Sequence, residues 1–159
     1  MRDRRDDPVL TPSECLQLLA QAEVGRIAVS MDALPVIIPV AFAVIDDQVH
    51  FRSIRDSKMD AAVDHRVVAF ESGAYAPEEG TGWSVLVQGM TQAVDESDSL
   101  WSPASPFPPT TPSASSEERY RMIRIQPASV TGRRMRIMSS TGTTIGATDV
   151  PFLYLSSGD

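Results

Sequence analysis

From Gly25 onward the chain is written in period two. The stretches "GRIAVSM" (25–31), "VIIPVAFAVI" (36–45), "VHFRSI" (49–54), "RVVAFES" (66–72) and "WSVLVQGMTQAV" (83–94) follow one another with short breaks. A period of two puts every second side chain on the same face of a strand, and β-branched residues suit that pleated, half-buried surface. The breaks carry turn residues: "DALP", "DDQ" and the Gly- and Pro-containing "GAYAPEEGTG". "MIRIQP" and "VTGRRMRIM" read as two further strands around a "PAS" turn. Short strands in meander order with little helix between them predict a mainly β, antiparallel barrel or sandwich. Pro39 lies inside the second run and has no N–H to give to a ladder, so an edge position or a bulge is expected there.

Two segments break the alternation. "TPSECLQLLAQA" predicts a helix that ends near Glu23, with Thr11 as N-cap, Pro12 at N1 and Glu14 completing a capping box. Leu16, Leu19 and Ala20 form its apolar stripe, and Cys15 lies on or near that stripe. "SKMDAAVDH" predicts a short second helix capped by Asp56 or Ser57. Residues 1–10 are expected to be a flexible arm, residues 11–138 the domain, and residues 139–159 a Ser/Thr/Gly-rich tail ending in "VPFLYL" before its last serines. Residues 102–116, "SPASPFPPTTPSASS", read as a loop within the domain, with proline-rich recognition as the rival reading.

A chain of 159 residues can hold one domain with a substantial core. No apolar run approaches the roughly 20 residues that cross a bilayer, and "MRDRRDDPVL" has no apolar signal-peptide region. A single cysteine cannot form an intrachain disulfide, which suits a reducing, cytoplasmic setting. The net charge of −7 argues against a broad phosphate-binding face for nucleic acid, but not against one anionic small molecule.

Against that acidic background "HFRSIRDSKMDAA" (50–62) stands out, because it holds Lys58, the only lysine, within six positions of Arg52 and Arg55. On a strand Arg52 and Ile54 face one side while Phe51 and Ser53 face the other. Arg55 and Lys58 then follow across a turn into the second helix, whose first N–H groups lack intrahelical partners. Two guanidinium groups, one ammonium, the Ser57 hydroxyl and those N–H groups could form a phosphate site. The competing reading is a solvated patch paired with Asp56, Asp60 and Asp64.

Other motifs are weaker. "GTGWSV" lacks the third glycine of a dinucleotide fingerprint, Val85 standing in its place, and it opens a strand where the fingerprint needs a helix. Trp83 is either core filling or an aromatic wall for a flat ligand. The two arginines of "SVTGRRMR", Arg133 and Arg134, are either outward strand residues or ligand contacts across a subunit boundary. His50 and His65 have no ligand-spaced partners, so no metal site is expected. No nucleophile elbow is present, and Glu78 and Glu79 read as a solvated loop pair.

Taken in order, "ECLQLLAQAEVGRIAVS", "LPVIIPVAFAVIDDQVHFRS", "SKMDAA", "VVAFES", "GWSVLVQGMTQAV" and "RIQPASVTGRRM" resemble the pyridoxamine 5′-phosphate oxidase-like flavin-binding split-barrel family. Within it, the chain is similar to the "pyridoxamine 5′-phosphate oxidase-related", nitroimidazole-resistance-like branch. The resemblance covers residues 11–94 and 120–137. It implies a six-stranded antiparallel split β-barrel of Greek-key type with a few short flanking helices. It also implies a homodimer with two flavin sites at the subunit interface. Arg52, Ser53, Arg55, Ser57 and Lys58 would then hold the flavin phosphate. Trp83 and Ser84 would lie near the ring or ribityl chain, with Arg133 or Arg134 approaching the ring. The expected activity is an oxidoreductase using FMN or the deazaflavin F420 on an unidentified small substrate. The alternatives are a non-catalytic flavin- or tetrapyrrole-binding sensor and an apo structural dimer. The tail lacks the arginine and histidine that true pyridoxamine phosphate oxidases use for substrate, so that activity itself is not expected.

Overall fold

In the computed structural model residues 9–94 and 120–136 are described. They form β1 (Val9–Leu10), α1 (Pro12–Leu19), β2 (Val24–Met31), β3 (Leu34–Ile45), β4 (Gln48–Ile54), α2 (Lys58–Val63), β5 (Val67–Ala76), β6 (Thr81–Ala93) and β7 (Tyr120–Arg136). The loop 102–116, the tail 139–159 and arm residues 1–8 lie outside the described residues. The last two residues of the expected arm form β1, which pairs with β7 through Val9 with Arg133 and Leu10 with Gly132.

All pairings are antiparallel, in the order β1-β7-β4-β3-β2-β5-β6, and β7 also pairs with β6. That last pairing closes the six strands β2–β7 into a ring, which removes the open edges of a flat sheet. Two hairpin turns are two residues long, and both central residues of each have positive φ: Asp32 (50°) with Ala33 (65°), and Asp46 (49°) with Asp47 (60°). This is the primed turn geometry whose twist matches the flanking strands. Inside the ring lie Ile27, Phe42, Phe51, Phe70, Val85 and Ile123, with Phe42 and Phe70 edge to face at 4.7 Å.

Three local expectations are corrected, and a fourth, the edge position expected at Pro39, holds locally. The "PAS" segment is no turn, and β7 runs unbroken through it. A bulge absorbs the proline: Gln88 faces Ser129 while Gly89 faces Pro127, and a Cβ on Gly89 would sit 1.9 Å from the Gln126 carbonyl oxygen. Pro39 lies on a strand with neighbours on both sides, yet β4 pairs only from Phe42 onward, so at Pro39 one side of β3 has no ladder to break. α1 stops at Leu19, short of Glu23, and Ala20 is exposed at its C-cap. The supposed loop 73–82 shrinks to Pro77–Gly80, because β5 and β6 pair out to Ala76 and Thr81.

The capping box of α1 forms as read: the Glu14 N–H donates to Thr11 Oγ1, and the Glu14 carboxylate accepts the Thr11 N–H at 2.8 Å. Cys15 and Leu19 are buried beneath this helix. A Cβ on Gly132 would lie 2.6 Å from Cys15 Sγ, so glycine lets α1 approach β7 closely.

Candidate functional site

The cation cluster occupies a strand–turn–helix junction. β4 ends at Ile54, Asp56 takes a left-handed φ of 58°, and Ser57 caps α2. Ser57 Oγ accepts the Asp60 N–H at 3.0 Å, and the Asp60 carboxylate accepts the Asp56 N–H at 3.2 Å. The same carboxylate takes a 3.0 Å bond from Arg121 Nε on β7, and Arg121 also lies 3.4 Å from Asp64. At the far end of α2, buried Thr91 of β6 donates to the Val63 carbonyl and accepts the Arg66 N–H. Both ends of this short helix are therefore tied to the barrel, which fixes where Lys58 starts from.

Within the cluster the side chains diverge as strand geometry requires. Ser53 points inward and is 1% exposed, and its hydroxyl has no hydrogen-bond partner among the described residues. Arg52 faces the other side, opposite Met122. Arg55 is half-buried in the turn. Lys58 is exposed and makes no hydrogen bond or ion pair with the described residues. Ser57 uses a lone pair in its cap and retains its O–H proton for a further acceptor.

The second group lies on β6 and β7. Trp83 faces Arg134 and Ser84 faces Arg133 across the ladder. Neighbouring residues on a strand point to opposite faces, so these are two separate pairs. Trp83 and Arg134 line a cavity of about 420 Å³ with Tyr75, Thr81 and Gly82. Ser84 donates at 3.0 Å to Glu71, whose other oxygen receives Arg26 at 3.2 Å. Ser84 therefore belongs to a surface network, while Trp83 walls a cavity.

The two groups do not meet within one chain. Ser53 pairs opposite Arg121, whereas Trp83 pairs opposite Arg134. At about 3.3 Å per residue those points are on the order of 40 Å apart along β7. Sequence reasoning missed Arg121, Glu71 and Thr91. Each acts through a partner 13 to 61 positions away, and no local motif records such a pairing.

Fold and site define a small antiparallel β-barrel protein with a cation-bearing strand-to-helix junction. The profile of the pyridoxamine 5′-phosphate oxidase family matches residues 11–134, and the chain belongs to that family. An uncharacterised protein of Mycobacterium tuberculosis is 34% identical over 96 residues, which span 57% of this chain and 63% of that relative. Among solved structures, the FAD-binding protein of Mycobacterium smegmatis superposes with a TM-score of 0.64 at 27% identity, over 82% of this chain and 99% of that one. An FAD-binding protein of Mesorhizobium loti superposes with a TM-score of 0.59 at 18% identity, over 80% of this chain and 96% of that one.

Proposed function

We propose that this chain is a cytoplasmic flavin-nucleotide oxidoreductase that works as a homodimer, with FMN as cofactor and F420 as the alternative. The observation that carries this reading is the junction at Arg52–Lys58 in a chain of this family. The described residues suit a phosphate. Lys58 presents an ammonium that pairs with no described group, Arg55 and Arg52 lie within six positions of it, and the Ser57 hydroxyl keeps a proton to donate. Asp60, the nearest acidic group in α2, is neutralised by Arg121 and would not repel an anion strongly. The flavin-binding names of the two structural relatives support a flavin as the ligand class.

Bound there, a flavin supplies two-electron chemistry at its ring. The chain's own residues bind and orient it: cations and the Ser57 hydroxyl at the phosphate, Trp83 or Ser84 and an arginine of 133–134 at the ring. The separation of these groups along β7 supports a dimer on this reading, because a second copy would be needed to bring a ring end beside a phosphate end. The outward face of β2, β3, β5 and β6 exposes Val24, Ile37, Val67 and Met90, an apolar surface suited to such a contact.

The test is ligand affinity. Replacing Lys58 and Arg52 with alanine should weaken FMN binding by about tenfold or more per lost charge-assisted bond, and leave riboflavin, which has no phosphate, nearly unchanged. Equal losses for both ligands would remove the phosphate assignment.

A further inference from the structure

The cavity of about 420 Å³ beside Trp83 is lined by more than the Trp83–Arg134 pair, since Tyr75, Thr81 and Arg136 also border it. Its size lies within the roughly 300–1,000 Å³ of small-molecule sites. The register sets Trp83 opposite Arg134 and Thr81 opposite Arg136, so all four alternate onto one face of the β6–β7 ladder. Arg136 therefore stands about 7 Å beyond Arg134 along the strand, toward the end of β6 that meets the Pro77–Gly80 turn. Between these two levels Tyr75 of β5 lies opposite Gly82. A Cβ on Gly82 would come within 3.2 Å of Tyr75 Cδ2, so glycine leaves the phenol ring its place. Trp83 packs on the barrel core, which fixes its ring, whereas Tyr75 is 47% exposed.

The two arginines of the cavity differ in their partners. No carboxylate is among the described residues that line it. Arg134 stands within electrostatic reach of Glu14: the bonds from Thr11 first, and then the Arg134 charge, hold the Glu14 carboxyl below its usual range. Arg136 makes no hydrogen bond or ion pair among the described residues. Glu79, on the Pro77–Gly80 turn, accepts the Thr81 hydroxyl at 3.3 Å and forms no ion pair with Arg136. The cavity thus offers two aromatic rings and one uncommitted guanidinium. Such a fork matches the two oxygens of a carboxylate, whereas a phosphate dianion calls for more donors than one fork provides. Among the described residues no helix start lines the cavity to add them.

We infer that the substrate of this protein is a flat molecule bearing a single carboxylate, with its ring against Tyr75 and its carboxylate on Arg136. This rests on the flavin reading above and extends it to the substrate: Trp83 and Arg134 take the flavin ring, and Tyr75 and Arg136 take what lies beside it.

The experiment measures dissociation constants of four probes for the FMN-saturated full chain, for Arg136→Ala and for Arg136→Lys, with FMN affinity measured on the same proteins. The probes are 2-naphthoate, neutral 2-naphthol, 2-naphthyl phosphate and the non-planar decahydro-2-naphthoate. The wild type should bind 2-naphthoate about tenfold or more tighter than 2-naphthol, and tighter than either of the other two. Arg136→Ala should bring 2-naphthoate down to the 2-naphthol level and leave FMN unchanged. Arg136→Lys should restore part of the difference, because it keeps the charge without the fork. Equal affinities for 2-naphthoate and 2-naphthol in the wild type would overturn the inference, as would undiminished 2-naphthoate binding in Arg136→Ala. Tighter binding of 2-naphthyl phosphate would overturn the carboxylate, and equal binding of decahydro-2-naphthoate the flat ring. A parallel loss of FMN in Arg136→Ala would place Arg136 at the cofactor and overturn its role toward substrate. All of these leave the flavin reading standing. Failure of the wild type to bind FMN would overturn the flavin reading itself, and this inference with it.

Discussion

Replacing Arg121 with methionine isolates the pair that anchors α2. Arg121 and Asp60 meet at 3.0 Å, with 21% and 11% of their side chains exposed. At an effective dielectric of about 20 their attraction is of the order of 5–6 kcal/mol, most of which desolvation of the two groups offsets. Methionine keeps the volume but leaves the Asp60 carboxylate nearly buried beside no cation. Such uncompensated charges cost about 3–5 kcal/mol when fully buried, and the residual exposure here lowers the expectation to about 2–3 kcal/mol. Asp60→Asn should cost less, about 1 kcal/mol, because Arg121 keeps Asp64 at 3.4 Å and an asparagine oxygen can still accept the Asp56 N–H. The double variant should be less destabilised than the sum of the two, since Arg121→Met strands the Asp60 carboxylate that Asp60→Asn removes. Urea denaturation of the four proteins closes the cycle. Arg121→Met costing under about 0.5 kcal/mol, or singles that add within about 0.5 kcal/mol, would refute the clamp. The functional consequence is direct, because Ser57 and Lys58 stand at the end of the helix that this pair holds.

Two further outcomes test local features. Ala33→Gly should stabilise the protein by up to about 1 kcal/mol, because Ala33 sits at a φ of 65° that glycine adopts without steric penalty, an advantage partly offset by glycine's freedom in the unfolded chain; a shift of the urea midpoint to lower concentration would contradict the turn geometry. The Thr11 N–H and hydroxyl donate to the Glu14 carboxylate and hold its pKa below the usual glutamate range. A depressed folded pKa contributes stability above the unfolded value, about 4.3, and loses it as pH falls through the lower folded value. Glu14→Gln should therefore narrow the gap between stability at pH 6 and at pH 3, and an unchanged gap would remove the capping carboxylate from the acid response.

The parts of this fold that sequence reading recovers are those decided within a few residues. Thr11, Pro12 and Glu14 specify one helix start through bonds between residues three apart, and Ser57 specifies the other. The alternation of β2–β6 is local in the same sense, and so are the two short turns. The continuity of β7 is decided elsewhere. Pro127 and Ala128 argue for a break, but β6 supplies a full-length partner and Gly89 accommodates the bulge opposite them. Pro39 shows the same dependence, since its tolerance comes from where β4 begins to pair with β3.

The candidate site divides along the same line. "FRSIRDSK" is legible as a cation cluster because its three cations fall within six positions of one another, but the Asp60–Arg121 bond that sets it in place spans 61 positions. "GWSV" and "TGRR" invite the reverse error, in which neighbours in sequence are taken as neighbours in space. The ladder sends Trp83 with Arg134 to one face and Ser84 with Arg133 to the other, where Glu71 and Arg26 already engage Ser84. A flat ligand resting on one face of this strand pair therefore meets one pair or the other. The cavity beside Trp83 has room for a ring, whereas the Ser84 hydroxyl is already committed to Glu71, so under the proposed flavin reading Trp83 with Arg134 is the pair we propose for a ring contact. On that assignment Ser84 and Glu71 hold β5, β6 and β2 in register beneath the ligand, and their contribution to binding is through the shape of the strands.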